Sequence, residues 1–156
     1  MNTIFFYVTT VVIAGLMVGN EFAVSTFVHP SFSQLDDTAH APSAQSLARV
    51  YGKVMPFWYA LVLILTVVVT INLRQAQSEA LWLAIVSTAL WVLSIVFTLI
   101  GPVPINNQVI NWDLEHLPPN WKDLRSRWDQ LHAVRVAILF VAFVCLVSAC
   151  FISEVT

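Results

Sequence analysis

Four long apolar stretches, separated by short polar ones, constrain this chain more than any other feature of its sequence. A helix that crosses the hydrocarbon core of a bilayer needs ~20 mainly apolar residues. Ile4–Val28, Tyr51–Leu73, Ala80–Ile100 and Trp128–Ile152 each meet that requirement. The chain of 156 residues is 58% hydrophobic and only 10% charged. Soluble domains carry nearer a quarter of charged residues, and one soluble core of this size has no room for so much apolar surface. The expected fold is therefore all-α: a four-helix up-and-down transmembrane bundle, one integral membrane domain over residues 1–156,.

The connections set the topology. Residues 74–79 form a short polar break, so the second and third spans make an antiparallel hairpin. The segments 29–50 and 101–127 are longer and read as loops on one side of the membrane, with both termini on the other. Arg49, Lys53, Lys122, Arg125 and Arg127 lie on the long-loop side and only Arg74 opposite, which by the positive-inside rule makes the long loops cytoplasmic,. Pro102 and Pro104 end or kink the third span, and residues 105–120 are expected to cap the bundle as a polar segment, resuming as a short helix or dipping back,. Asn120, after Pro118-Pro119, is a candidate cap from which the fourth helix starts ahead of the membrane,. The first span lacks a leading Lys or Arg and exceeds a signal-peptide core in length, so it reads as a retained helix,.

Ionisable groups at membrane depth are costly, and each requires a reason. Glu21, beside Asn20, is embedded in the first span. It reads as a structural carboxylate held by a partner or as a proton acceptor or ligand. On the fourth helix Arg125, Trp128, His132 and Arg135 follow spacings of three, four and three, which places them on one stripe,. Arg135 lies deepest and needs an anion, so Arg135 and Glu21 are expected to meet. An interfacial anchor explains Arg125 and Trp128 but not His132 and Arg135. His29 reads either as a cap on a helix dipole or, with His132 and Glu21, as part of a copper, iron, zinc or haem site,. His40 and His116 fall in polar sequence and read as solvated. Asn106, Asn107 and Gln108 follow the third span directly, as caps of a kinked backbone or as donors to a ligand, with Asn111 and Trp112 continuing that face,. Trp58 and Tyr59, past Pro56, are candidate aromatic walls, and Lys53 a residue that snorkels to the interface,. Gly15 and Gly19 form a GxxxG suited to close helix packing,.

Several function classes are excluded. There is no phosphate-binding loop, dinucleotide fingerprint, nucleophile elbow or zinc-protease motif,. A net charge of -2 with no basic run offers nothing to nucleic acid,. Cys145 and Cys150 are five apart on one helix, face different sides and read as packing residues,. The partners that remain are the lipid bilayer, a lipophilic small molecule and a further copy of the chain in a homo-oligomer.

Three motifs carry a resemblance over essentially the whole chain: Gly19-Asn20-Glu21-Phe22; Pro104-Ile105-Asn106-Asn107 followed by Trp112; and Arg125, Trp128, His132 and Arg135 opening the fourth helix. In these the sequence resembles the anthrone oxygenase-like family of small four-helix membrane proteins, many bacterial members of which are described only as a domain of unknown function. The resemblance implies an oxidoreductase, a monooxygenase that turns a lipophilic aromatic or quinone-like substrate over with O2 and requires no metal or flavin. It implies His132 as base, Asn106 and Arg135 stabilising an enolate oxygen, and Trp128 and Trp58 stacking on flat rings. Glu21 completes the candidate catalytic set, and Asn20, Asn107, Trp112 and Arg125 the candidate substrate contacts. Two alternatives stay open: a metal- or haem-binding redox protein using His29, His132 and Glu21, and a non-enzymatic membrane module.

Overall fold

The computed structural model describes residues 3–74 and 79–155, with side chains through Ser153. Among the described residues all regular structure is helical, with no strand. Helix α1 (Thr3–Ala23) runs through a widened π-helical turn (Val24–Val28) into α2 (His29–Phe32). Helices α3 (Asp37–Leu73) and α4 (Glu79–Ile100) follow, then the short α5 (Pro102–Ile110) and α6 (Trp121–Val155). Four helical segments are long and apolar enough to cross a membrane, namely Thr3–Phe32, Asp37–Leu73, Glu79–Ile100 and Trp121–Ser153. The protein is an integral membrane protein.

The spans close into a ring in chain order: α1 packs on α3 and α6, α4 on α3 and α6. The shared core holds Met17, Val62, Val69, Trp91, Leu139 and Leu146. Outward-facing Phe5, Phe57, Trp82, Ile100 and Phe151 are all more than 60% exposed, which only a lipid exterior makes favourable,. Small residues set the helix spacing. A Cβ on Gly15 would approach the Phe143 ring to 3.1 Å, whereas Gly19 faces open space, so only the first glycine of the GxxxG pair is pressed against α6. Neither Cys145 nor Cys150 forms a disulfide among the described residues.

Two sequence expectations need correction. Residues 29–50 are not a loop: all but 33–36 are helical, and α3 begins at Asp37 instead of Tyr51. The Asp36 carboxylate accepts from the Ala39 amide at 2.9 Å and caps α3,. Ala41, Ala44, Gln45 and Ala48 then bury one stripe at helical spacing,. His40 is half-buried, its ring edge-on to Trp121 at 5.1 Å, because α3 carries it against the start of α6; His116 is exposed as expected. The turn expected between the second and third spans falls at residues 75–78, outside the described residues.

Pro102 starts α5, and the carbonyls left open at its C-terminal end are taken up by α3,. Gln45 donates to the Val109 and Trp112 carbonyls at 3.2 and 3.0 Å, and Arg49 to that of Ile110 at 3.2 Å. Val109, Trp112, Trp121 and Trp128 form a second apolar cluster at this end. The polar end of the bundle is thereby a built layer of α2, α5 and the first turns of α3 and α6.

Candidate functional site

The widened turn at Val24–Val28 aligns the first half of the site. Glu21 and His29 are eight residues apart, which in an ideal helix leaves them about 80° round from one another. Each residue of a π turn advances less than this, and the five residues between take most of the offset back,. The cause lies in the next residue. Pro30 has no amide to donate and its ring would strike the carbonyl four residues back, so the His29 amide reaches to the Val24 carbonyl instead,. Both side chains now face α6, with Glu21 1% and His29 5% exposed.

Helix α6 answers with its stripe. Arg135 Nη2 donates to Glu21 Oε2 at 2.6 Å and to His132 Nδ1 at 2.7 Å. Because a guanidinium only donates, Nδ1 accepts and the His132 proton sits on Nε2, which donates to the Glu21 carbonyl at 3.2 Å,. A second group of the same form lies one to two turns nearer the polar end. Arg125 Nη2 donates to His29 Nδ1 at 2.7 Å and to Asp129 Oδ1 at 3.1 Å. Trp128 stacks on His132 with ring centroids 4.7 Å apart and planes 13° apart, and meets the Arg125 guanidinium at 4.9 Å. The two histidine rings are 5.6 Å apart.

These groups wall a cleft of about 780 Å³, within the range of small-molecule sites. Its inner wall carries His29, Arg125, Trp128, His132 and Arg135. The facing wall is apolar, from Met55, Ala60 and Leu63 of α3, Ile95 and Leu99 of α4 and Val103 of α5. Pro56 cannot bond the Gly52 carbonyl, and both residues line the cleft,. The exposed Pro56, Ala60 and Leu99 at its mouth open it sideways between α3 and α4.

Several buried polar atoms find no hydrogen-bond partner among the described residues: Glu21 Oε1, His29 Nε2, Trp128 Nε1, and the Nε atoms of Arg125 and Arg135. The Tyr59 hydroxyl lies near the Glu21 carboxyl and the Ser94 hydroxyl without closing a short bond to either. A buried donor or acceptor without a partner is costly, so an inner wall holding this many of them is suited to a ligand.

The candidates divide plainly. His132, Arg135, Asn106, Asn107, Trp128, Arg125 and His29 all line the cleft. Glu21 lies behind Arg135 and His132, not on the cleft surface. Three others are placed elsewhere. Trp58 turns towards α1 and donates from Nε1 to the Ile13 carbonyl at 3.3 Å, while Tyr59, the next residue, takes the cleft side. Asn20 accepts from the Tyr51 hydroxyl at 2.9 Å, tying α1 to α3. Trp112 packs edge-on against Trp121 at 5.9 Å in the second apolar cluster. Sequence reasoning passed over Asp129, although its place four residues after Arg125 was the signal,. It also gave no site role to Arg49, Lys53 and Thr98, which line the cleft.

The three residues proposed as metal ligands do not converge. The Arg135 guanidinium sits between the Glu21 carboxylate and His132 Nδ1, where a cation would be repelled. Among the described residues no three His, Cys, Asp or Glu side chains gather as a metal site would require.

Fold and site together define a four-helix membrane protein with a laterally open, mostly apolar cleft that ends in paired arginines and histidines. The chain matches the model of the anthrone oxygenase family over residues 46–145, a stretch that holds every cleft residue of α3 to α6 except Ala44 and begins after Glu21 and His29. The protein belongs to the anthrone oxygenase family. Searches of curated proteins and of solved structures return no match.

Proposed function

We propose that the protein is a membrane-embedded oxygenase that takes a flat, lipophilic, enolisable aromatic from the bilayer and oxidises an activated CH2 to a carbonyl with O2. One observation carries this reading: a sideways-open apolar cleft ends on two guanidiniums, two imidazoles and a half-buried Asn106 whose amide bonds no other described residue. The chemistry needs a base and an oxyanion site. Loss of a proton makes a carbanion, with its charge spread onto the ring oxygen. The carbanion passes one electron to O2, the two radicals join as a peroxide, and loss of water leaves the carbonyl. The balance is one CH2 and one O2 consumed, one C=O and one water formed.

His132 is the base in this reading, since a neutral imidazole carries one basic lone pair. Its Nδ1 lone pair is held by Arg135. A substrate oxygen that takes over the Arg135 N–H frees that lone pair, so enolate stabilisation and proton removal are coupled. Asn106 supplies a second donor to the same oxygen, and preorganised donors of this kind are effective where water is excluded. Trp128, stacked on His132, offers a face to the rings.

The unpartnered Nε2 of His29 favours a second assignment of the base. It requires the other tautomer, in which Nδ1 gives up the Arg125 N–H and donates to Asp129, 3.2 Å away, leaving Nε2 with a free lone pair. The test is O2 uptake and quinone absorbance with anthrone, using protein in nanodiscs as wild type, His132→Ala and His29→Ala. Loss confined to the first variant assigns the base to His132, and loss confined to the second assigns it to His29. Full turnover in both overturns base catalysis by either histidine, and no turnover in the wild type overturns the oxygenase reading for this substrate class.

A further inference from the structure

We infer that the cleft selects an amphiphile bearing an anionic group, held at the mouth by Lys53 and Arg49 while the flat apolar body runs inward to His132 and Arg135. The inference rests on the reading above and narrows its substrate to a lipophilic aromatic acid.

The charges of the cleft point there. Arg49, Lys53, Arg125 and Arg135 line it, and no Asp or Glu does. The inner pair is already compensated, Arg125 by Asp129 and Arg135 by Glu21. Arg49 and Lys53 form no ion pair among the described residues, and Arg49 spends one nitrogen on the Ile110 carbonyl. Other cations near this end are placed differently: Lys122 pairs with Asp37 at 2.7 Å, and Arg127 is exposed away from the cleft. Cations that merely anchor a helix in the headgroup layer have no need to face a cavity.

The spacing fixes the size of the guest. Arg49, Lys53, Pro56, Ala60 and Leu63 form one stripe of α3 along the cleft,. From Lys53 to Tyr59, whose ring lies 5.8 Å from the Arg135 guanidinium, is six residues, or about 9 Å of helix. The acidic group and the far edge of the ring system would be separated by about that distance, close to the long dimension of three fused rings, with the central ring reaching the inner wall between them. The sideways opening suits such a molecule, whose charge stays in the headgroup layer while its rings enter from the lipid.

Two sources share this chemistry, a free aromatic acid and an anionic phospholipid, and the test separates them. The probes are anthracene-2-carboxylate and the neutral anthracene-2-methanol, titrated by fluorescence against the full chain in phosphatidylcholine nanodiscs and in discs containing phosphatidylglycerol. In phosphatidylcholine the acid should bind roughly three- to tenfold more tightly than the alcohol, the worth of one or two exposed ion pairs. Added salt should narrow the gap. The Arg49→Gln/Lys53→Gln protein should bring it below twofold, and Lys53→Gln alone part of the way. Equal affinities in the wild type, or a preference that survives the double substitution, overturns the inference. Displacement of both probes by phosphatidylglycerol gives the site to a lipid and overturns the aromatic-acid assignment. An acid preference without any O2 consumption overturns only the oxygenase reading, and oxygenation of anthrone without an acid preference overturns only this one.

Discussion

Replacing Arg135 by Met removes the cation from the most deeply buried ion pair of the bundle. The Glu21 carboxylate would remain 1% exposed, with Oε1 unpartnered and Oε2 facing the lone pair of His132 Nδ1 at 3.5 Å. Stranding one charge of a buried pair costs about 3–5 kcal/mol. Losing the Arg135–His132 bond adds about 1 kcal/mol. Glu21→Gln keeps an acceptor for the guanidinium but leaves the Arg135 charge without its anion, so it too should cost about 3–5 kcal/mol. The double variant Glu21→Leu/Arg135→Met buries no charge and should lie much closer to wild type than Arg135→Met does, because the desolvation of both ions disappears with their attraction. Reversible unfolding in mixed micelles of SDS and dodecyl maltoside measures all of these on one scale. A coupling energy between positions 21 and 135 above the usual range of about 0.5–3 kcal/mol is expected. An Arg135→Met loss below about 1 kcal/mol, or single losses that simply add in the double variant, would refute the argument that the pair must be kept or removed as a unit.

Two further outcomes test the scaffold. Ser87→Ala removes a buried bond from α4 to the Ala142 carbonyl of α6, 2.7 Å long, and should cost about 0.6 kcal/mol in the same unfolding assay, the typical worth of an interhelical bond in lipid,. The Thr38 hydroxyl and the Ala39 amide hold the Asp36 carboxyl below its ordinary value of 3.8. The sign follows: the ionised cap stabilises the start of α3 above that value, and its contribution fades as pH falls through the lowered one. Hydrogen exchange at the Ala39 and His40 amides should therefore speed up relative to the rest of α3 only in strong acid, and Asp36→Ala should remove this pH dependence.

The sequence makes legible what depends on period and polarity. Four apolar runs mark the spans, and spacings of three and four mark the α6 stripe. The cost of a lone arginine at membrane depth points to Glu21, 2.6 Å away in the folded chain. What stays hidden depends on small energies or on backbone irregularity. Residues 37–50 look like a loop because their buried face is alanine and glutamine, too weakly apolar to stand out, although Asp36 marks the cap. Trp58 and Tyr59 are adjacent, and nothing in the local pattern says which one faces α1. The alignment of His29 with Glu21 follows from a π turn, which regular helical spacing does not anticipate, though Pro30 is its visible cause.

The two arginine groups share a construction that explains how a membrane span tolerates them. In each, a single Nη2 bridges one histidine Nδ1 and one carboxylate oxygen. Helix α6 provides part of each group within one turn, Arg125 with Asp129 and His132 with Arg135, and the first span completes both with His29 and Glu21. With both imidazoles neutral, the charges cancel within each group, so burial does not demand a counter-ion from the lipid. The groups differ in exposure: the Glu21 side chain is 1% exposed and that of Asp129 41%. The Glu21 carboxylate is thus sealed behind the cleft wall that Arg135 and His132 form. The outer group can exchange its bonds with water through Asp129. In the proposed reaction a proton taken up by His132 would leave past His29, whose ring centroid lies 5.6 Å away, towards the half-exposed Asp129 carboxylate. That gradient from sealed to open is an arrangement that an inert anchor at the headgroup layer would not need.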